Sequence, residues 1–201
     1  MNLGIAHVDT LLRWLHVLAG IVWVGHLCFF NFAGGPFLAS LDAETKKKIY
    51  PGLMGRALWW FRWGAMATLV FGVALFLFAM MKLGLYSKGP DGEFPGRMRF
   101  IMWGMTFAVI LWINVWFVIW PAQKKIIAAF SRGDAPPAGL PQRAALFSKV
   151  NTYLSGPMLI MMVAAGQHGA FSYVDLGLAI VVGVAVMHML MSLGKTVGRP
   201  A

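Results

Sequence analysis

The sequence predicts an all-α integral membrane protein: a bundle of five transmembrane helices in one domain, residues 1–201, with the N-terminus outside and the C-terminus cytoplasmic. Three observations carry this. Of the 201 residues, 59% are hydrophobic and only 12% charged, against roughly a quarter charged in an ordinary soluble domain. The apolar residues gather into five runs, each near the roughly 20 residues a helix needs to cross hydrocarbon. Lysine and arginine are distributed unevenly between alternate loops, which sets orientation.

The runs span about 9–32, 57–84, 99–121, 146–167 and 173–193. The first ends in GGPFLASLDAETKKKIYPG, where glycine and proline read as breakers. The second opens on RALWWFRW and the third on RMRFIMW, tryptophan-rich turns typical of a membrane interface. YSKGPDGEFPG separates the second from the third, SRGDAPPAGLPQ precedes the fourth, and the short GQHGAFS joins the last two. No basic region precedes the first run and no small-residue cleavage site follows it, so it is expected to be a retained span.

Lys46, Lys47, Lys48, Arg56, Arg62, Lys124, Lys125, Arg132, Arg143, Lys149, Lys195 and Arg199 fall on one side of this arrangement. Arg13, Lys82, Lys88, Arg97 and Arg99 fall on the other. The side rich in cations is the cytoplasmic one. The net charge of +10 therefore reads as loop charge that fixes topology and meets anionic lipid, and no nucleic-acid partner is expected. Cys28 is the lone cysteine, which excludes an internal disulfide and any Cys-x-x-Cys-His attachment of haem.

Histidine inside a membrane span is rare and functional by default. At 1.5 Å rise per residue His16 lies about 10 Å below the outer surface. His168 closes the fourth span on that side, while His26 and His188 fall near the inner third of the first and fifth. Four of the five histidines thus make two tiers, His16 with His168 and His26 with His188. Neutral imidazoles on facing helices can clamp one or two non-covalent b-type haems, with His16 and His168 the leading iron ligands. Gly20 and Trp23 share the helical stripe of His16, one able to admit a flat ring and the other to stack on it. Helix packing is the plainer reading of both.

Asn31, Thr68, Thr106, Asn114, Asn151, Thr152, Ser155 and Gln167 are the other polar residues within reach of the interior. Thr68 and Thr106 can bond their own helix. An amide such as Asn114 needs an interhelical partner. Pro157 is expected to kink the fourth helix and free a carbonyl for Tyr153 or a water. The methionines read as pliable filling. No Ser-His-Asp set, P-loop or zinc motif is found in the sequence.

LLRWLHVLAGIVWVG, NVWFVIWPAQKKII and RAALFSKVNTYLSGPMLIMM together resemble the membrane domain of bacterial membrane-bound urate oxidases, the urate oxidase N-terminal domain family. WLHVLAGIVWVG is more distantly similar to the first helix of bacterial haem-containing protoporphyrinogen oxidases, where a first-helix histidine is implicated in haem binding. The resemblance implies a redox protein of the bacterial inner membrane that passes electrons to a cytochrome c or a respiratory complex. It carries His16, Trp23, Asn114, Trp120, Gln123, Lys124, Asn151, Tyr153 and His168 forward as candidate cofactor, substrate or structural residues. Family members associated with urate oxidation have more spans and a cytochrome c domain; this sequence departs from that pattern, so its electrons are expected to go to a separate carrier. A non-catalytic accessory subunit of a respiratory complex is the alternative.

Overall fold

A computed structural model describes residues 3–197; Arg199 lies outside them. Among the described residues all regular structure is helical, and the helices form five rods. The first rod is α1 (Leu3–Cys28), a π-helical segment (Phe29–Gly34) and α2 (Gly35–Ser40). The second is α3 (Ala43–Lys82). The third joins α4 (Gly96–Ile113), a second π-helical segment (Asn114–Ile119) and α5 (Trp120–Ser131). The fourth is α6 (Leu140–Gln167) and the fifth is α7 (Tyr173–Leu193).

The rods start and stop where local chemistry provides for the unpaired backbone groups of a helix end. Asp42 caps α3, its carboxylate accepting from the backbone N–H groups of Glu44 and Thr45. Hydrogen bonds from Thr45, by hydroxyl and backbone, and from Glu44 hold that carboxyl below its ordinary range. Ser172 and Asp175 form a reciprocal capping box at the start of α7. Gly133 takes φ +79° just after α5. Its N–H bonds the Phe130 carbonyl and that of Asp134 bonds Ala129, the Schellman closure that suits a glycine.

The expected break after the first run is much shorter than its composition suggests. Helix continues through GGP to Ser40, and α3 begins at Ala43. Likewise the third rod passes its expected end at Pro121 and runs to Ser131. In both places a π-helical segment lies immediately ahead of the proline, which occupies the second residue of the following α-helix. Because the rod continues through it, each proline leaves a carbonyl of the preceding turn without its N–H, and the wider π turn ahead is where the helix accommodates that loss. Pro51 and Pro157 lie within α3 and α6.

Four stretches are long and apolar enough to cross a membrane: Gly4–Ser40, Ala43–Lys82, Gly96–Ser131 and Tyr173–Leu193. The remaining expected span, 146–167, forms as part of α6, but it does not have the apolar composition of the other four. Its place explains why. α6 is the central helix, packed on α4 and α7 and touching α5 and both π segments, while α1 packs chiefly on α3. Asn151, Thr152 and Ser155 are fully buried on it. The outward faces of the other rods are apolar, with Met81, Phe117 and Val181 about two-thirds exposed. A soluble monomer rarely shows so continuous an apolar exterior.

Close backbone approach holds the rods together. Gly64 of α3 lies against the backbone of Trp23, where a methyl group would come within 3.1 Å of the Trp23 nitrogen. Gly156 of α6 and Gly183 of α7 meet backbone to backbone beside Pro157. Small residues at such crossings let main chains approach.

Candidate functional site

α6 is the polar axis of the bundle, and both π segments aim an asparagine at it. Asn114, first residue of the second π segment, donates its amide to Asn151 Oδ1 at 2.8 Å. Asn151 in turn donates to the Leu111 carbonyl at 3.0 Å. Asn31, in the first π segment, donates to Ser148 Oγ and to the Leu27 carbonyl, both at 2.9 Å. Thr152 and Ser155 bond back to carbonyls of their own helix. The seam is therefore internally satisfied, as buried polar groups must be where no water competes.

The histidines each find a different neighbour. His16 Nδ1 lies 3.0 Å from the Thr68 carbonyl of α3. His26 Nδ1 lies 2.7 Å from the Val22 carbonyl, one turn earlier in α1. A carbonyl can only accept, so in both rings Nδ1 carries a proton, and in the neutral ring Nε2 presents the lone pair. Gly72 makes the first contact feasible, since a methyl group there would stand 2.8 Å from His16 Cε1. Thr68 bonds Gly64 through its own hydroxyl, as expected, and its carbonyl has the further role of receiving His16.

His26 borders a groove of about 400 Å³ between α1 and α3, lined by Ile21, Val22, Gly25, Phe29, Leu53 and Ala57. His188 is exposed on α7, stacked on Tyr153 with Nδ1 3.0 Å from the phenol oxygen. The Tyr153 hydroxyl thus turns to His188 and not to a carbonyl freed by Pro157. His168 caps α6, exposed, its ring 5.6 Å from Phe100 of α4. No hydrogen bond or ring contact joins His16 to His168, or His26 to His188, among the described residues. Gly20 packs near Thr68, and Trp23 is buried in the core with its indole N–H unpaired.

The remaining candidates gather where α3 meets the third rod. The Arg62 guanidinium lies 3.7 Å over the Trp120 ring. Trp63 meets Trp116 edge to face, and Trp116 neighbours Trp112. The Arg62 Nε and the indole N–H groups of Trp112 and Trp116 are buried without partners. Gln123 accepts from the Tyr50 hydroxyl at 2.7 Å, tying the start of α3 to α5. Lys124 is exposed.

Sequence reasoning did not single out Tyr50, Gly72 or Ser148, and it read Arg62 as loop charge only. Gly72 stands four residues after Thr68, the spacing that uncovers a helix carbonyl, and that was a usable signal. Ser148 and Tyr50 offered none, because their partners lie far off in the chain.

The fold and the seam define an all-α protein with four membrane-length apolar helices around a polar-lined central one. Within that class the chain belongs to the urate oxidase N-terminal family, whose model matches residues 78–198. The match takes in Asn114, Trp120, Gln123, Lys124, Asn151, Tyr153, His168 and His188. His16, Gly20, Trp23 and His26 lie ahead of it. No curated protein and no solved structure matches the chain.

Proposed function

We propose that the chain is a redox protein of the bacterial inner membrane that binds b-type haem through His16 and passes electrons to a separate cytochrome c or respiratory partner. One observation carries the reading. The ring of His16 is oriented by a carbonyl on Nδ1 and leaves Nε2 unengaged, the arrangement by which metal-binding histidines are held in place. His26 has the same tether and borders a groove, so it is the ligand for a second haem. His168 and His188 are the candidates for a second haem-holding residue, with Gly20 and Trp23 beside His16. Haem bound there would supply one-electron chemistry. The chain's own contribution is to fix the imidazole tautomer, exclude water and hold the seam rigid behind the site.

Family membership makes urate the first substrate to try, with Asn114, Gln123, Lys124, Asn151 and Tyr153 as its candidate contacts. With the N-terminus outside and the C-terminus inside, His16 lies toward the outer surface. The test is an oxidised and dithionite-reduced spectrum of the purified protein, before and after haem addition. A Soret band that vanishes in His16→Ala supports the reading. Loss of the low-spin signature in His168→Ala would make that residue the second ligand. Absence of any Soret band, or a band unaffected by His16→Ala, would sink it. The self-contained seam favours a second reading, an accessory subunit whose polar residues serve packing alone. It predicts that His16→Ala and His168→Ala change assembly and leave spectra and urate turnover unaltered.

A further inference from the structure

A shallow groove of about 90 Å³ lies where the third rod meets the start of α6, floored by Phe117, Pro121 and Leu140 and bordered by Lys125 and Arg143. The groove continues a stripe along the third rod. Ile110, Ile113 and Phe117 are 41%, 44% and 66% exposed, and Pro121 and Lys125 continue the exposed run about one turn apart along the rod. From Ile110 to Lys125 the stripe is roughly 20 Å long, a little less than the rise of an unbroken α-helix because it crosses the π segment. One leaflet offers about 15 Å of hydrocarbon, so an apolar track of this length ending in a cation matches a single acyl chain and its headgroup.

The charge balance shows what the two cations lack. All seven Asp and Glu residues of the chain are committed elsewhere. Asp9, Glu44, Glu93 and Asp134 pair with Arg13, Lys48, Arg99 and Arg132. Asp42 and Asp175 cap helices, and Asp91 accepts from the Glu93 backbone. Among the described residues no carboxylate is left for Lys125 or Arg143. Any fixed counter-charge for this pair would come from outside the chain, at the end of a track that offers an acyl chain a surface.

We propose that this groove is a binding site for one anionic phospholipid, its phosphate between Lys125 and Arg143 and one acyl chain along Phe117, Ile113 and Ile110. Paired cations beside an apolar groove are how membrane proteins retain acidic lipid. The proposal is independent of the haem reading.

Native mass spectrometry of the full chain in detergent tests it, titrating phosphatidylglycerol, phosphatidylcholine of the same acyl chains, and inorganic phosphate. Wild type should retain phosphatidylglycerol about tenfold better than phosphatidylcholine. The double variant Lys125→Gln/Arg143→Gln should lose that preference, while Lys82→Gln/Lys88→Gln at the other end keeps it. Wild-type selectivity stands as a test even if the double variant fails to fold. Equal retention of both lipids by wild type, or an unchanged preference in a folded Lys125→Gln/Arg143→Gln, overturns the proposal. So does complete displacement of phosphatidylglycerol by millimolar phosphate, which would mark a simple anion site.

Discussion

At the scale of single residues, the polar side chains inside the bundle divide by where their partners lie. Thr68 and Thr106 bond carbonyls one turn back, a pattern readable from a single helix. Asn114, Asn151, Asn31 and His16 reach groups on other rods, and a sequence shows that such a partner is required without naming it. The Asn114–Asn151 pair is where this dependence is strongest, because both amides are buried and they bond each other across two rods. Asn151→Leu leaves the Asn114 amide without its acceptor and should cost about 1–3 kcal/mol. Asn114→Leu should cost a similar amount. The double variant removes both polar groups together and should cost clearly less than the sum of the two. Unfolding in mixed detergent micelles measures all three; strict additivity would show that the two amides are not coupled.

At the scale of elements, helix positions were legible because apolar run length is a direct consequence of the surroundings a helix faces. Helix ends were less so. GGP reads as a stop, since proline lacks an N–H and clashes with the preceding turn, and the third apolar run ends at Pro121, yet a π segment ahead of each proline lets the rod continue. At the second segment Asn151 of α6 takes the Leu111 carbonyl one turn ahead of it, a partner that local sequence does not name. The same π segments deliver Asn31 and Asn114 to α6, so their irregularity and the polar seam are one feature. The contact between α6 and α7 is exacting, since Gly156 and Gly183 allow no side chain between the two backbones. Gly183→Ala should force the helices apart, costing about 1–3 kcal/mol by overpacking and disturbing the Tyr153–His188 stack. Gly177→Ala on the same helix meets open space and should be neutral or slightly stabilising. Thermal unfolding of the two variants should therefore move in opposite directions or differ sharply; equal shifts would remove the close approach as the cause.

At the scale of the whole molecule, rod length and charge together decide how the bundle sits in a bilayer. α3 has 40 residues, about 60 Å at helical rise, twice the roughly 30 Å hydrocarbon thickness. In a bilayer of that thickness one end would project, and the end that carries Glu44, Lys46, Lys47, Lys48 and Arg56 is the one that water favours. There it packs with α5 and the start of α6, through Tyr50, Phe130, Ile126, Ala144 and Leu140, and Lys47 bonds the Gly133 carbonyl. These ends form a small polar-faced cap on the side to which the loops assign eleven of the sixteen described lysines and arginines. Positive charge near span ends is retained in the cytoplasm, so the cap should face inward and the 83–95 loop outward. Replacing Cys28 by serine leaves a chain without cysteine, into which Ser87→Cys and Ala138→Cys are introduced separately, both at exposed loop positions. A membrane-impermeant maleimide should label Ser87→Cys in intact spheroplasts and Ala138→Cys only after the membrane is opened. The reverse pattern would invert the bundle. It would turn His16 and His168 toward the cytoplasm, and the proposed transfer to an external cytochrome c would no longer begin from the nearer surface.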